Sequence, residues 1–273
     1  YISYYILFII TLALFILSSF FSKEYEVKIG LYNLLYLFCS LIASYFIVNS
    51  KKSLFYMLLT FYIYSIFLSY FILKFGADGE AYNTILNGSS RNYLSAISIF
   101  LTITIYLVLY FRKKLFLFHP AIINFIICLC LFGRSGIILS LLILLFVVYT
   151  RSVKVFVYSS LISIAFMSFF IFQFEAFIFE RSNFSIGLES VRSTFRHEYM
   201  TGIFSSNEFI TGRKLANCCS YIQFYDSNPH NSFIMGHIRY GVFHTLFSIL
   251  LFMYILLSRN VILIFFTAII YSR

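Results

Sequence analysis

Apolar residues run through this chain in long blocks, broken by short polar or basic turns. The blocks lie at about 2–21, 29–49, 53–75, 93–111, 115–132, 136–150, 153–173 and 241–258, with a partial one from 261. Most approach the roughly 20 residues that a helix needs to cross the hydrocarbon core of a bilayer. They are continuously apolar and show no period-two alternation, so the pattern predicts helices and not the strands of a membrane barrel. The expected architecture is an all-α, polytopic helical membrane protein with eight or nine spans. The 136–150 block is short and is expected to extend into its flanks or to sit where the bilayer thins. The last run, Val261 to Tyr271, is too short to span. Both ends of the chain read as cuts in a longer protein.

Composition agrees with the pattern: 61% of the 273 residues are apolar and 11% are charged, against about 45–50% and about 25% in soluble domains. The net charge of +10 does not point to nucleic acid, because the basic residues cluster at the ends of apolar runs. Alternate connections carry Lys51, Lys52, Arg112, Lys113, Lys114, Arg151, Lys154 and Arg259, with no acidic residue among them. The other side carries Lys23, Lys28, Lys74, Arg91 and Arg134, diluted by Glu24, Glu26, Asp78 and Glu80. The excess of lysine and arginine marks the first side as cytoplasmic. The N-terminus of the chain then lies in the cytoplasm.

Three regions follow: a transmembrane bundle over 1–173, an extracytoplasmic loop over 174–240, and a C-terminal transmembrane region over 241–273. A connection as long as the loop is usually functional or disordered. Stretches such as "YIQFY" (Tyr221 to Tyr225) give this one the means to pack. The first apolar run, Ile2 to Phe21, is too long for a signal-peptide core and has no basic flank, so it is read as a span. Cys39, Cys128 and Cys130 fall in apolar segments as ordinary buried thiols. Cys218 and Cys219 are adjacent, and neighbouring cysteines rarely bond each other, so inert thiols are expected there as well.

Candidate chemistry gathers outside the cytoplasm. Arg134 sits in "FGRSG" between two apolar runs, where a permanent charge serves as an interfacial anchor or a functional group. Arg181, Arg192, Arg196 and Arg213 lie in the loop. Arg192 and Arg196 are four apart, on one face if that segment is helical, and guanidinium groups match phosphate geometry. The same arginines would also suit a plain solvated helix. His230 with Asn231 follows an Asn228-Pro229 turn, and imidazole is the commonest general base. His237 and His244 follow His230 and could share a helix face. No HExxH, CxxC or paired-carboxylate pattern occurs, so no metal and no cofactor is expected.

The spacing of "HNSFIMGHIRYG", His230 to Gly241, resembles the His-(Asn/Ser/Gln), nine residues, Gly-x-x-Gly signature of the O-antigen polymerase and O-antigen ligase superfamily. His244 stands where the second glycine would be. "FGRSG" resembles the Ser-Arg-Gly element of that family. "FRHEYMTGIFSSNEFITG" resembles its arginine-led loop helix and following turn, with Arg196 matching the arginine and Gly212 the turn glycine. The likeness covers about Leu131 to Leu257.

The resemblance implies a metal-independent glycosyltransferase of GT-C-like membrane fold in the bacterial inner membrane, its long loop periplasmic. It would polymerise oligosaccharide units carried on undecaprenyl pyrophosphate, or, as a ligase, transfer glycan to lipid A-core. A chain-length regulator protein is an implied partner. By resemblance Arg134 and Arg196, with Arg192 as the alternative, would hold the pyrophosphate. His230 would be the base on the acceptor hydroxyl, Asn231 would orient the site or bind sugar, and Gly241 would be the structural glycine. Two other classes compete. A lipid-linked sugar flippase would carry mid-membrane charges and repeated broken helices, which the sequence lacks. A non-catalytic assembly protein would use the loop to bind a partner.

Overall fold

The computed structural model describes residues 6, 9, 10, 13, 18, 27–76, 78–79, 81–86, 90–158, 160–161, 191–205, 207–224 and 231–272. Among them the regular structure is all helical. Five helices precede the predicted loop: α1 (Val27–Asn49), α2 (Ser53–Phe75), α3 (Arg91–Phe111), α4 (Phe118–Cys130) and α5 (Arg134–Arg151). Within the loop lie α6 (Val191–Met200) and three short helices, α7 (Glu208–Thr211), α8 (Leu215–Cys218) and α9 (Ser220–Phe224). Then come α10 (Ser232–Tyr240), α11 (Val242–Leu257) and α12 (Val261–Tyr271). The chain forms two compact units. A bundle unit comprises Ser44–Leu188 with Ala268–Arg273, and a loop unit comprises Tyr1–Ala43 with Glu189–Thr267.

Three described helices, α2, α3 and α5, are long and apolar enough to cross a membrane. This supports a helical membrane protein, but the described helices do not reach the eight or nine expected spans and do not amount to a GT-C-like fold. Leu35–Asn49 within α1, and α4, α11 and α12, are apolar but shorter. Most of the span expected at 2–21 and of that at 153–173 lies outside the described residues. The 115–132 block has a local reason for its shortness. Pro120 is tolerated only in the first turn of a helix, so α4 starts at Phe118. Phe132, with φ 55°, turns left-handed and ends it. Thirteen residues remain, about 20 Å of helix at 1.5 Å per residue, short of the roughly 30 Å core.

Small polar side chains let the bundle helices approach closely. Ser95, Ser98 and Thr102 fall on one face of α3 and are fully buried, as are Asn124 of α4 and Ser140 of α5. Ser98 Oγ donates to Asn124 Oδ1 at 2.7 Å, tying α3 to α4. Thr102 turns its hydroxyl back to the Ser98 carbonyl at 2.8 Å, which satisfies it without a partner helix.

The two ends of the bundle differ. At one end Lys113 takes φ 51° and the Lys114 amide donates to the Leu109 carbonyl at 2.9 Å, a left-handed helix stop. Arg112 then reaches back to the α1–α2 turn. Its Nη1 donates to the Lys51 carbonyl at 3.0 Å, and its Nη2 to Ser53 Oγ at 2.8 Å and to the Ser50 carbonyl. Arg151 Nη2 donates to the Phe116 carbonyl at 2.7 Å. All three basic connections therefore meet at one end. At the other end Tyr82 donates to the Gly76 carbonyl at 2.6 Å, over a core of Leu68, Tyr82, Leu94, Ile127 and Leu131. A Cβ on Gly133 would stand 2.8 Å from Asn92 Oδ1, so the start of α5, with Arg134, packs against the start of α3.

Arg112→Gln removes these three hydrogen bonds and leaves the part-buried Ser50 carbonyl and Ser53 hydroxyl without them, a loss of about 1–3 kcal/mol. The expected result is a lower thermal midpoint in detergent, while Lys113→Gln, at an exposed position, leaves the midpoint unchanged.

Candidate functional site

The loop unit folds around Phe195, Tyr199, Ile203, Cys219, Ile222, Ile234 and Ile238. These come from α6, α9, α10 and the turns between them, so the segment carrying Arg196 and the one carrying Asn231 share one core. The expected "YIQFY" packing is seen at Ile222, which is fully buried.

The spacing between Asn231 and Gly241 has a structural meaning. Asn231 is extended, and its Oδ1 accepts from the amides of Phe233 at 2.9 Å and Ile234 at 3.1 Å. It is the N-cap of α10, satisfying amides that have no partner inside the helix. Asn and Ser, two of the types the resembled signature allows after His, are both strong caps. Nine helical residues follow. Gly241, at φ 60° and ψ −152°, then breaks α10 from α11, in a region that is essentially glycine-only. His237 and His244 thus stand on two helices rather than on one face.

The glycines explain how α10 is held. A Cβ on Gly241 would collide with the Ile210 carbonyl. A Cβ on Gly212, itself at φ 81°, would stand 2.5 Å from the His237 carbonyl and 2.6 Å from that of Ile238. The α7 turn and the C-terminal end of α10 are in backbone-to-backbone contact, and both contacts need the missing side chain. Gly236 makes a third. A Cβ there would enter the ring of His244, which also stacks on Tyr240. His244, the departure from the resembled signature, is thus accommodated by a glycine eight residues earlier.

His237 links three elements. Its Nε2 lies 2.8 Å from the Phe209 carbonyl and its Nδ1 2.7 Å from the Tyr199 hydroxyl. A carbonyl only accepts, so Nε2 carries the proton and Nδ1 accepts from the phenol. Burial lowers the His237 pKa from its usual range, against the favourable bond to Phe209. Burial raises the Tyr199 pKa, which keeps the phenol a donor. This histidine is a neutral structural link.

The loop cations and carboxylates divide by role. Arg213 is a fastener: its Nη1 donates to the carbonyls of Tyr199 at 2.8 Å and Thr201 at 2.6 Å. Its Nε lies 2.9 Å from Glu208 Oε2, an ion pair without hydrogen-bond alignment. Glu198 caps α9, accepting from the amides of Tyr221 at 3.0 Å and Ile222 at 3.2 Å. Arg196 is exposed on α6, and none of the contacts of the unit's core uses it. Arg192 lies on the same helix four residues earlier. Arg134 is the first residue of α5, behind its N-cap Gly133, and belongs to the bundle unit. His230, the expected base, and Arg181 lie outside the described residues.

Cys218 and Cys219 are bonded to each other, with Cα atoms 3.7 Å apart, which corrects the expectation of two inert thiols. Cys219, at φ −128° and ψ 68°, leaves helical geometry between α8 and α9, and this lets neighbouring sulfurs meet. Among the described residues no group of three or more His, Cys, Asp or Glu is placed to hold a metal ion. Comparison with protein-family models, curated proteins and solved structures finds no match for this chain.

The pH response of the loop unit follows from two buried histidines, His237 and His244, whose pKa values burial lowers. An unfolded histidine takes up a proton near pH 6.5, but buried His237, with its lowered pKa, resists it. The stabilisation is therefore complete above about pH 6.5 and is lost as pH falls toward the folded-state pKa, by at most about 1.4 kcal/mol per pH unit for each histidine. Tyr199, its pKa raised by burial, stays neutral over that range. Protection of the α10 amides, read as the exchange rate relative to that of an unstructured amide at the same pH, is expected to fall between pH 7.5 and 5.5, and His237→Phe to weaken that dependence.

Proposed function

We propose that this chain is a polysaccharide polymerase of the bacterial inner membrane. It joins oligosaccharide repeat units carried on undecaprenyl pyrophosphate, at the periplasmic face, by metal-independent glycosyl transfer. One observation carries the reading. The two loop segments that resemble the O-antigen polymerase and ligase signatures, Arg196 to Gly212 and Asn231 to Gly241, interlock in one unit through Gly212 and Gly241. Gly212, Asn231 and Gly241 each have a physical reason for their residue type, which supports the reading.

The resemblance assigns chemical roles to His230, Arg134 and Arg196. The acceptor hydroxyl gives its proton to His230 as its oxygen attacks the anomeric carbon of the lipid-linked glycan. The bond from that carbon to the pyrophosphate oxygen breaks in the same step. The leaving pyrophosphate gathers negative charge, which fixed guanidinium groups stabilise without reorganisation. Arg134 and Arg196 are the cations for this, with Arg192 on the same helix as Arg196. Arg196 suits the task because it is exposed, whereas Arg213 is committed to the helix end. Asn231 acts through the cap of α10, which sets the chain direction just after His230.

His230→Ala, Arg134→Ala and Arg196→Ala are each expected to reduce surface glycan to single repeats at normal protein abundance. Loss of a general base lowers the rate about 10²–10⁴-fold. Gel analysis of glycan length with immunoblotting reads both quantities. Long chains in all three variants would exclude the enzyme reading. Absence of core-linked glycan with accumulated lipid-linked polymer would identify a ligase instead.

A further inference from the structure

The basic end of the bundle unit separates its arginines from its lysines. Arg112 is spent on the Ser50 and Lys51 carbonyls and Ser53, and Arg151 on the Phe116 carbonyl and the face of the Phe118 ring. These contacts draw the α1–α2 turn, the α3–α4 turn and the end of α5 into one surface. Lys51, Lys52, Lys113, Lys114 and Lys154 are left exposed on it. No hydrogen bond or ion pair among the described residues holds their ammonium groups. The sequence offers them no counter-charge nearby either: there is no Asp or Glu from 27 to 77 or from 81 to 174.

Five positive charges packed on one end repel each other unless anions come from outside the chain. Exposed apolar side chains border them, among them Phe111, Leu115 and Val153. Ammonium groups above an apolar rim match a phospholipid, with its phosphate at the headgroup level and its acyl chains below. Long lysine stems can follow a fluid headgroup, whereas the arginine forks are fixed to carbonyls. We propose that this end of the bundle is a binding surface for anionic phospholipids, held by Lys51, Lys52, Lys113, Lys114 and Lys154. The three turns gathered by Arg112 and Arg151 make it one site instead of three scattered charges. The surface does not depend on the glycosyl-transfer reading, and it would serve any membrane activity by fixing the depth of the bundle.

The test uses the full chain in nanodiscs of phosphatidylcholine with or without phosphatidylglycerol, and native mass spectrometry of the lipids retained on release. The wild type is expected to retain phosphatidylglycerol over phosphatidylcholine, with the preference declining as salt is raised. Replacing all five lysines by glutamine is expected to lower that preference about tenfold or more, since each lysine near an anionic surface contributes several-fold. Five lysine-to-arginine changes should retain it, and so should Lys74→Gln outside the surface. Equal retention of the two lipids by the wild type would overturn the proposal, as would an unchanged preference in the glutamine variant. If the glutamine variant does not insert, the lipid preference and salt dependence of the wild type decide by themselves.

Discussion

The loop unit depends on contact between bare stretches of backbone. Gly241 turns the chain where α10 meets α11, and it does so with its Cα against the Ile210 carbonyl. Gly212 returns the contact from the α7 side, against the carbonyls that end α10. A side chain at either position would push α7 and α10 apart. His237 spans the same junction, reaching Phe209 with one ring nitrogen and Tyr199 with the other. The position of α6, and so of Arg192 and Arg196, follows from that closure through Tyr199.

This makes the signature spacing a length rather than a list of catalytic groups. An asparagine cap, nine helical residues and a glycine corner define one rigid rod. Of its polar residues, Asn231 and His237 are occupied in holding the rod and its neighbours. His244 fills space that Gly236 leaves for it. Arg196, exposed on α6, is used by none of the contacts that hold the unit's core. Arg213 carries the same charge as Arg196 but is committed to two carbonyls and to Glu208.

Helix content was legible where a long apolar run had clean ends, as in α2 and α5. The α4 run misled because apolar length counts residues and not dihedrals. Pro120 and the left-handed Phe132 shorten that helix, and only Pro120 is visible beforehand. The cap role of Asn231 had a readable signal, an Asn directly before a helical pattern. The bonds of Glu198 to α9 and of Arg213 to the end of α6 could not be read, since each depends on chain reversals between distant residues. The Cys218–Cys219 bond was missed because adjacency argues against pairing until the break at Cys219 is known.

The central claim is that the Gly241 corner is required by space and not merely by backbone angle. Gly76 offers a matched control: it has φ 58° and ψ −123°, close to the φ 60° and ψ −152° of Gly241, but an added Cβ meets nothing within 4 Å. Thermal unfolding in detergent of Gly76→Ala and Gly241→Ala tests the claim most directly. Both variants bear the strain of the angle, about 1–3 kcal/mol. Gly241→Ala is expected to lose clearly more, with protease sensitivity appearing in the loop unit. Equal losses in the two variants would contradict the account.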